Sequence, residues 1–405
     1  MEPRAPEGLY IHFPFCVSLC PYCDFVVVAG SAARGPANRI ESLLGAVRTE
    51  LELRVRTQAA VAPLHSVYLG GGTPSLMSAT QVGGLLEAVA SRIGIAADAE
   101  VTLEANPGPD ELGDLRGFRA AGVNRLSIGA QSMDDRELRR LGRRHHGADV
   151  AAAVSLARAS GFASIGLDVL TDVPGQSVGS WQATLEAALA LAPDHLSVYA
   201  LTLDDPLAEG LTGPGGDHLP PSRGARAWRE RARVEQSDDR AAEMELLVDE
   251  LAEAAGLERY EIANLAHPGR ESRHNLLYWR RRPYLALGPG AHASDGDRRR
   301  WWNGARLDGY VEALDQGRLP PGGSEEVDGA TAAAESAILG LRLREGLGAQ
   351  LAEAPALRPG LAWAKGQGLV EVTSGRTRLT PRGRLLANEV FARLLPDAAA
   401  SSGPA

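Results

Sequence analysis

Cys16, Cys20 and Cys23 are the only cysteines in a chain of 405 residues, and they share one short window, "FCVSLCPYCDF". An odd number of thiols in one loop does not make a disulfide framework, which spreads its cysteines out and pairs them. The spacing C-x3-C-x2-C instead aims three thiolates at one centre. Structural zinc would need a fourth ligand, and His12, on the strand side of the loop, is the candidate. A four-iron cubane would need none, because three thiolates leave one iron open to a small chelating molecule.

Other chemistries are poorly provided for. Of the 42 basic residues only Lys365, in "AWAKGQGLV", is a lysine, and its context suits neither a P-loop nor a Schiff base. The net charge of −9 argues against a nucleic-acid partner, which leaves a basic footprint. The start "MEPRAPEG" lacks a signal-peptide core, and no apolar run reaches the ~18 residues of a membrane span. A cytoplasmic setting with reduced thiols is expected.

Something must hold the cysteine loop. The runs "LYIHFP", "SVYLGG", "EVTLEAN", "NRLSIGA", "IGLDVL" and "HLSVYAL" alternate with helical stretches at 38–53, 80–93, 110–121, 148–159 and 177–191. This predicts an α/β fold with a parallel sheet, a partial (β/α)6 TIM-like barrel whose chemistry sits at the strands' C-terminal ends. The cysteine loop follows the first run, "GGGTP" the second, "EANP" the third and "GAQS" the fourth; Asp168 lies late in the fifth. Residues 204–240 break the rhythm with Pro, Gly and charge, and read as a mobile surface insertion. A helix at 330–343, then helix, hairpin with a Ser-Gly tip and helix, resembles a winged-helix α+β module. The expected domains are a core at 1–300, the module at 301–396 and a frayed tail at 397–405.

The three-cysteine spacing, Tyr22 before the third cysteine and the glycines of the next strand resemble the radical S-adenosylmethionine (SAM) superfamily. Within it, "YIHFPFCVSLCPYCDF", "VYLGGGTPSLM", "EANPGP", "GVNRLSIGAQSMDDRELRRLGRRH", "YEIANLA", "SRHNLLYW" and "YLALGPGAH" resemble the branch of coproporphyrinogen dehydrogenases and HemW heme chaperones. The resemblance implies a [4Fe-4S] cluster on Cys16, Cys20 and Cys23. SAM would chelate the open iron, and an electron from the reduced cluster would cleave its sulfonium to methionine and a 5′-deoxyadenosyl radical. Carried over by position, Tyr10, Tyr22, Gly71, Gly72, Thr73, Glu104, Gln131, Arg143 and Asp168 would surround SAM. Glycines allow close backbone approach, Arg143 suits a carboxylate, and Glu104 a ribose or ammonium group.

Two departures separate the members of that branch. The dehydrogenases carry a further cysteine where this chain has Phe25, and H-N-x-x-Y-W, here His274, Asn275, Tyr278 and Trp279, marks the heme chaperones. Imidazole is a common heme ligand, and aromatics can cover a macrocycle; His292 is a second imidazole candidate. A further departure is Thr171-Asp172, where relatives carry an aromatic-glycine pair. The expected function is a chaperone that holds heme with a cluster and SAM and delivers it to an acceptor protein, which includes a membrane protein engaged transiently. An electron donor is implied if radical chemistry runs, and no nucleic acid is expected. Two other readings stay open: oxygen-independent coproporphyrinogen III dehydrogenase, and an RNA-modifying radical enzyme.

Overall fold

Apolar and polar side chains alternate along the six predicted strands, and a computed structural model shows where each set goes. The structure describes residues 4–35, 37–58, 60–203, 206–213 and 215–396; the tail expected at 397–405 lies outside them. The strands are β1 (Gly8–Phe13), β2 (Leu64–Gly71), β3 (Ile95–Ala105), β4 (Arg125–Gln131), β5 (Ser164–Thr171) and β6 (His195–Ala200). Leu9, Ile11, Val67, Leu69, Val101, Leu103, Leu126, Ile128, Ile165, Leu167, Leu196 and Val198 enter one continuous apolar core. There they meet the buried faces of α1 (Ile40–Arg56), α2 (Ala79–Arg92), α3 (Leu115–Ala120), α5 (Gly147–Ala159) and α6 (Val178–Ala190); the short α4 (Asp135–Arg140) lies between α3 and α5 in the chain. Each fully buried side chain of this kind contributes about 1.5–3 kcal/mol. Helix ends follow local signals: Ser78 and Gln81 form a capping box before α2, and Gly94, at φ +96°, follows it.

The opposite strand face is polar. Tyr10, His12, Ser66, Tyr68, Glu100, Thr102, Glu104, Arg125, Ser127, Asp168, His195 and Ser197 occupy the alternate positions. Burying such groups requires partners. Ser127 donates to Asp168, His195 pairs with the Tyr260 hydroxyl at 2.8 Å, and Arg125 donates to Ser164 and to the carbonyl of Arg270.

Six further strands complete one twelve-stranded sheet: β7 (Glu258–Arg259), β8 (Asn264–Ala266), β9 (Tyr284–Leu287), β10 (His292–Ser294), β11 (Arg299–Asn303) and β12 (Gly322–Glu326). The order is β12-β11-β10-β9-β1-β2-β3-β4-β5-β6-β8-β7. β9 is a seventh parallel strand, beside β1; its four residues are too short to carry a periodic signal.

The segment read as a surface insertion contains α7 (Arg223–Glu235), which packs on the cysteine loop. Most residues of that helix are exposed, while Ala225, Arg229 and Ala232 are buried. α8 (Asp238–Ala254) follows and lies against α6, with the Trp181 indole N–H donating to Met244 O. α9 (Arg273–Trp279) carries the histidine motif, and α10 (Leu307–Asp315) packs on α1.

The expected boundary at 301 falls within β11, whose pairing continues to β12 at Glu326. A second apolar core begins with α11 (Gly329–Arg342). Its hairpin, Val370–Thr373 with Arg376–Leu379, turns through Ser374 and Gly375, both at positive φ, as a type I′ hairpin requires.

Candidate cofactor site at the mouth of the barrel

Loops after the first four strands converge on one hydrogen-bonded chain. The Cys16 Sγ lies 3.2 Å from Thr73 Oγ1. Asn106 Nδ2 donates to the same hydroxyl at 2.9 Å, and Asn106 Oδ1 accepts from Arg143 Nη2 at 2.5 Å. Arg143 also donates to Gly129 O at 2.9 Å and reaches Cys20 Sγ at 3.8 Å. Cys16, Thr73, Arg143 and Cys20 are thus brought together by Asn106, a residue the motif reading quoted in "EANP" without assigning.

The thiols sit in a partly buried pocket. Burial pushes Cys16 up to about 11 and Cys23 up to about 12, with the Cys20 thiol adding to both. Binding a cationic cluster would release those protons. His12 is not placed as a fourth ligand: its ring is buried, with Nδ1 2.8 Å from Tyr10 OH and Nε2 2.8 Å from Val26 O. Among the described residues, no three His, Cys, Asp or Glu side chains gather tightly enough to hold one metal ion. Three free thiols on one loop are the donor type that iron–sulfur clusters take, and three of them would leave one iron of a four-iron cluster open.

Glycine at 70–72 is demanded by packing. A Cβ at Gly71, which sits at φ +113°, would stand 2.4 Å from the His12 ring, and one at Gly72 would stand 2.7 Å from Phe15 O. The resulting turn lets Gly71 N donate to Glu104 Oε2 at 2.8 Å, while Tyr68 OH donates to Oε1 at 2.8 Å. Burial raises the Glu104 carboxyl to about 7, against these two bonds. Asp168 is also raised by burial, opposed by Ser197 and Ser127 hydroxyls, the repayment a strand-buried carboxylate needs. Gln131 ends β4 at φ +65°, and its amide, with Arg143, fills the space left open at Gly129. Tyr22 packs near Trp228 of α7, with ring centroids 6.4 Å apart.

The histidine motif lies elsewhere. Glu100 accepts from the backbone N–H groups of Arg273 and His274, and Ser272 caps α9 through Asn275 N. Ser66 and Glu100 align with Gly8 at the N-terminal ends of the paired strands, roughly 20 Å along the strands from the cysteine loop. The His274 ring is buried, its Nδ1 2.8 Å from Ser66 Oγ and its Nε2 2.7 Å from Tyr278 OH. Burial lowers its pKa to about 3. It is a neutral imidazole with both nitrogens engaged, so this arrangement offers no free nitrogen to heme iron. Trp279 stacks under the Arg342 guanidinium at 4.3 Å, linking α9 to α11. The exposed His292 ring stacks on Trp302, and its Nε2 meets Asp217 at 2.8 Å.

Known proteins place this geometry. The radical SAM superfamily profile matches residues 10–188, and the HemN C-terminal domain profile residues 327–386. The heme chaperone HemW of Mycobacterium tuberculosis is 37% identical over 394 residues, covering 97% of this chain and 96% of that protein. That of Bacillus subtilis is 31% identical over 403 residues, covering 96% and 100%. Among solved structures, coproporphyrinogen III oxidase (HemN) from Escherichia coli superimposes with a TM-score of 0.79 at 22% identity, covering 97% of this chain and 90% of that one; this likeness establishes the fold alone. With both lengths spanned and the three-thiol loop at the mouth of a parallel barrel, the chain belongs to the HemW heme-chaperone family of the radical SAM superfamily.

Proposed function

We propose that this chain holds heme together with a [4Fe-4S] cluster and SAM, and passes the heme to an acceptor protein. The observation that carries the reading is the 37% identity to a heme chaperone over 97% of the chain, which takes in both modules. Phe25, at the dehydrogenases' extra-cysteine position, favours it over coproporphyrinogen chemistry. The core would run to residue 326 and the C-terminal module from 327.

Cys16, Cys20 and Cys23 would hold the cluster. Tyr10, Tyr22, Gly71, Gly72, Thr73, Glu104, Gln131, Arg143 and Asp168 would surround SAM. When bound, cluster and SAM supply one-electron reductive chemistry. Arg143, anchored by Asn106 and Gly129 O, presents a fixed guanidinium to a carboxylate. Glu104, near 7 when buried alone, becomes a firm anion beside an ammonium group. His274, Asn275, Tyr278 and Trp279 contribute by fixing the base of the barrel, and direct ligation through one nitrogen of His274 would have to break its bond either to Ser66 or to Tyr278.

The remaining partners are an electron donor, for any radical turnover, and the heme acceptor, with a transiently engaged membrane protein as one kind. Among the described residues no helix is long and apolar enough to cross a membrane. A cytoplasmic setting belongs to this proposal.

The test is anaerobic reconstitution followed by hemin titration. About four irons per chain, a Soret shift at stoichiometric hemin and transfer of that heme to an apo-acceptor are expected. Conversion of coproporphyrinogen III without heme retention would replace this reading with the dehydrogenase one.

A further inference from the structure

The backbone around the three thiols does little to hold itself. Within residues 17–24 the described backbone bonds reduce to Cys23 N donating to Cys20 O at 3.2 Å. The carbonyls of Pro21 and Cys23 are instead satisfied from more than two hundred residues away. Arg229 on α7 donates from Nε to Pro21 O at 3.1 Å and from Nη2 to Cys23 O at 3.0 Å, and its guanidinium meets the Asp24 carboxylate at 2.7 Å. Its side chain is only 4% exposed, so these bonds act in a place that water barely reaches.

The helix bearing Arg229 is itself fixed. The Trp228 indole N–H donates to Arg140 O at 3.1 Å, and its ring lies near Tyr22, between the second and third cysteines. Ala232 is buried with Leu141, Leu170, Val173, Leu201 and Leu203. Arg233 donates to Leu203 O, and Arg240, at the start of α8, pairs with Asp172 after β5.

We propose that Arg229 is a positioning residue for the cysteine loop, and that α7 is a latch which keeps the three thiolates aimed at one cluster. One planar fork bridges two carbonyls and a carboxylate at once, which a lysine ammonium on a flexible stem does not reproduce. The inference rests on the cluster reading for its purpose, while the latch itself is a property of the polypeptide.

The experiment compares wild type, Arg229→Lys and Arg231→Ala (an exposed residue of the same helix). Hydrogen exchange is followed by mass spectrometry on cluster-free protein kept anaerobic and reduced. In Arg229→Lys, the Cys23 amide, whose N–H is bonded within the loop, exchanges roughly tenfold faster or more in peptides covering 17–25, as expected once the turn it closes loses the Arg229 bonds, while β1 and β2 peptides and the Arg231→Ala protein match wild type. After reconstitution, Arg229→Lys retains less iron per chain and bleaches several-fold faster in air. Unchanged exchange across 17–25 overturns the latch. Faster exchange with wild-type iron retention and bleaching overturns its role toward the cluster. If wild type itself takes up no iron, the exchange comparison still decides the latch, and the cluster reading is what fails. Should circular dichroism show Arg229→Lys unfolded, Asp24→Asn replaces it, removing the ion pair from the loop side with the same expected direction.

Discussion

Gly71 donates its backbone N–H to the Glu104 carboxylate at 2.8 Å, tying the ends of the second and third strands at the barrel mouth. The carboxyl is buried, and its pKa rises from 4.5 to about 7. Between those values the folded chain holds a proton that the unfolded chain has released. This contribution is therefore full below pH 4.5 and is lost as pH rises through 7, by up to roughly 3 kcal/mol. Subtracting a Glu104→Gln variant isolates it from other titrating groups. Ligand-free wild type should lose stability relative to that variant on going from pH 4.5 to 7.5 in denaturant melts. A difference that is flat, or of opposite slope, would mean that Glu104 ionises normally.

Asn106 is the joint between the thiol loop and Arg143. Asn106→Ala removes both the donor to Thr73 and the acceptor for Arg143, leaving a buried guanidinium without one of its partners. Losing such a bond costs about 1–3 kcal/mol. The expected outcome is a cluster that still assembles, with SAM affinity down by roughly ten- to a hundredfold in calorimetric titration. Wild-type SAM affinity would remove Arg143 from the proposed carboxylate contact.

The parallel fold was legible because strand runs alternate with helical stretches, and because the unusual loops follow strand after strand. Asp168 could be read as a carboxylate requiring hydrogen bonds, and Ser127 supplies them. Long-range partners could not be read. Nothing local to Arg229 connects it to Cys23, and "RGARAWRERARVE" looks like a solvated basic helix until one arginine is buried. His274 shows the complementary limit. A histidine with nearby aromatics has the chemistry of a heme ligand, but which atoms face its nitrogens depends on Ser66, in another strand.

His274 is expected to act on stability first. His274→Ala leaves Ser66 and Tyr278 unpaired and opens a cavity beneath Gly8 and Leu277, at a cost of about 2–4 kcal/mol near pH 7.5. The imidazole titrates near 3 when folded and near 6.5 when unfolded. Its contribution is therefore present above 6.5 and lost as pH falls toward 3, so wild type and variant should converge in melting temperature at pH 5. The folded variant should give the wild-type hemin Soret maximum. A displaced maximum would restore His274 as an iron ligand.

Asp172 stands in the left-handed region at φ +54°, where the resemblance places a glycine in relatives. An aspartate tolerates this conformation better than most side chains, and here the carboxylate is also used: it accepts from Ser237 N at 3.2 Å and pairs with Arg240 at the entry to α8. Asp172→Gly keeps the backbone conformation and loses only the side-chain contacts, a loss of about 1–3 kcal/mol. Asp172→Val loses the same contacts and adds roughly 1–2 kcal/mol for a β-branched residue held at positive φ. Denaturant midpoints should therefore rank wild type above Asp172→Gly, and Asp172→Gly above Asp172→Val. Equal midpoints for the glycine and valine variants would show that the turn relaxes freely, and that Asp172 is retained for its bond to Arg240 alone.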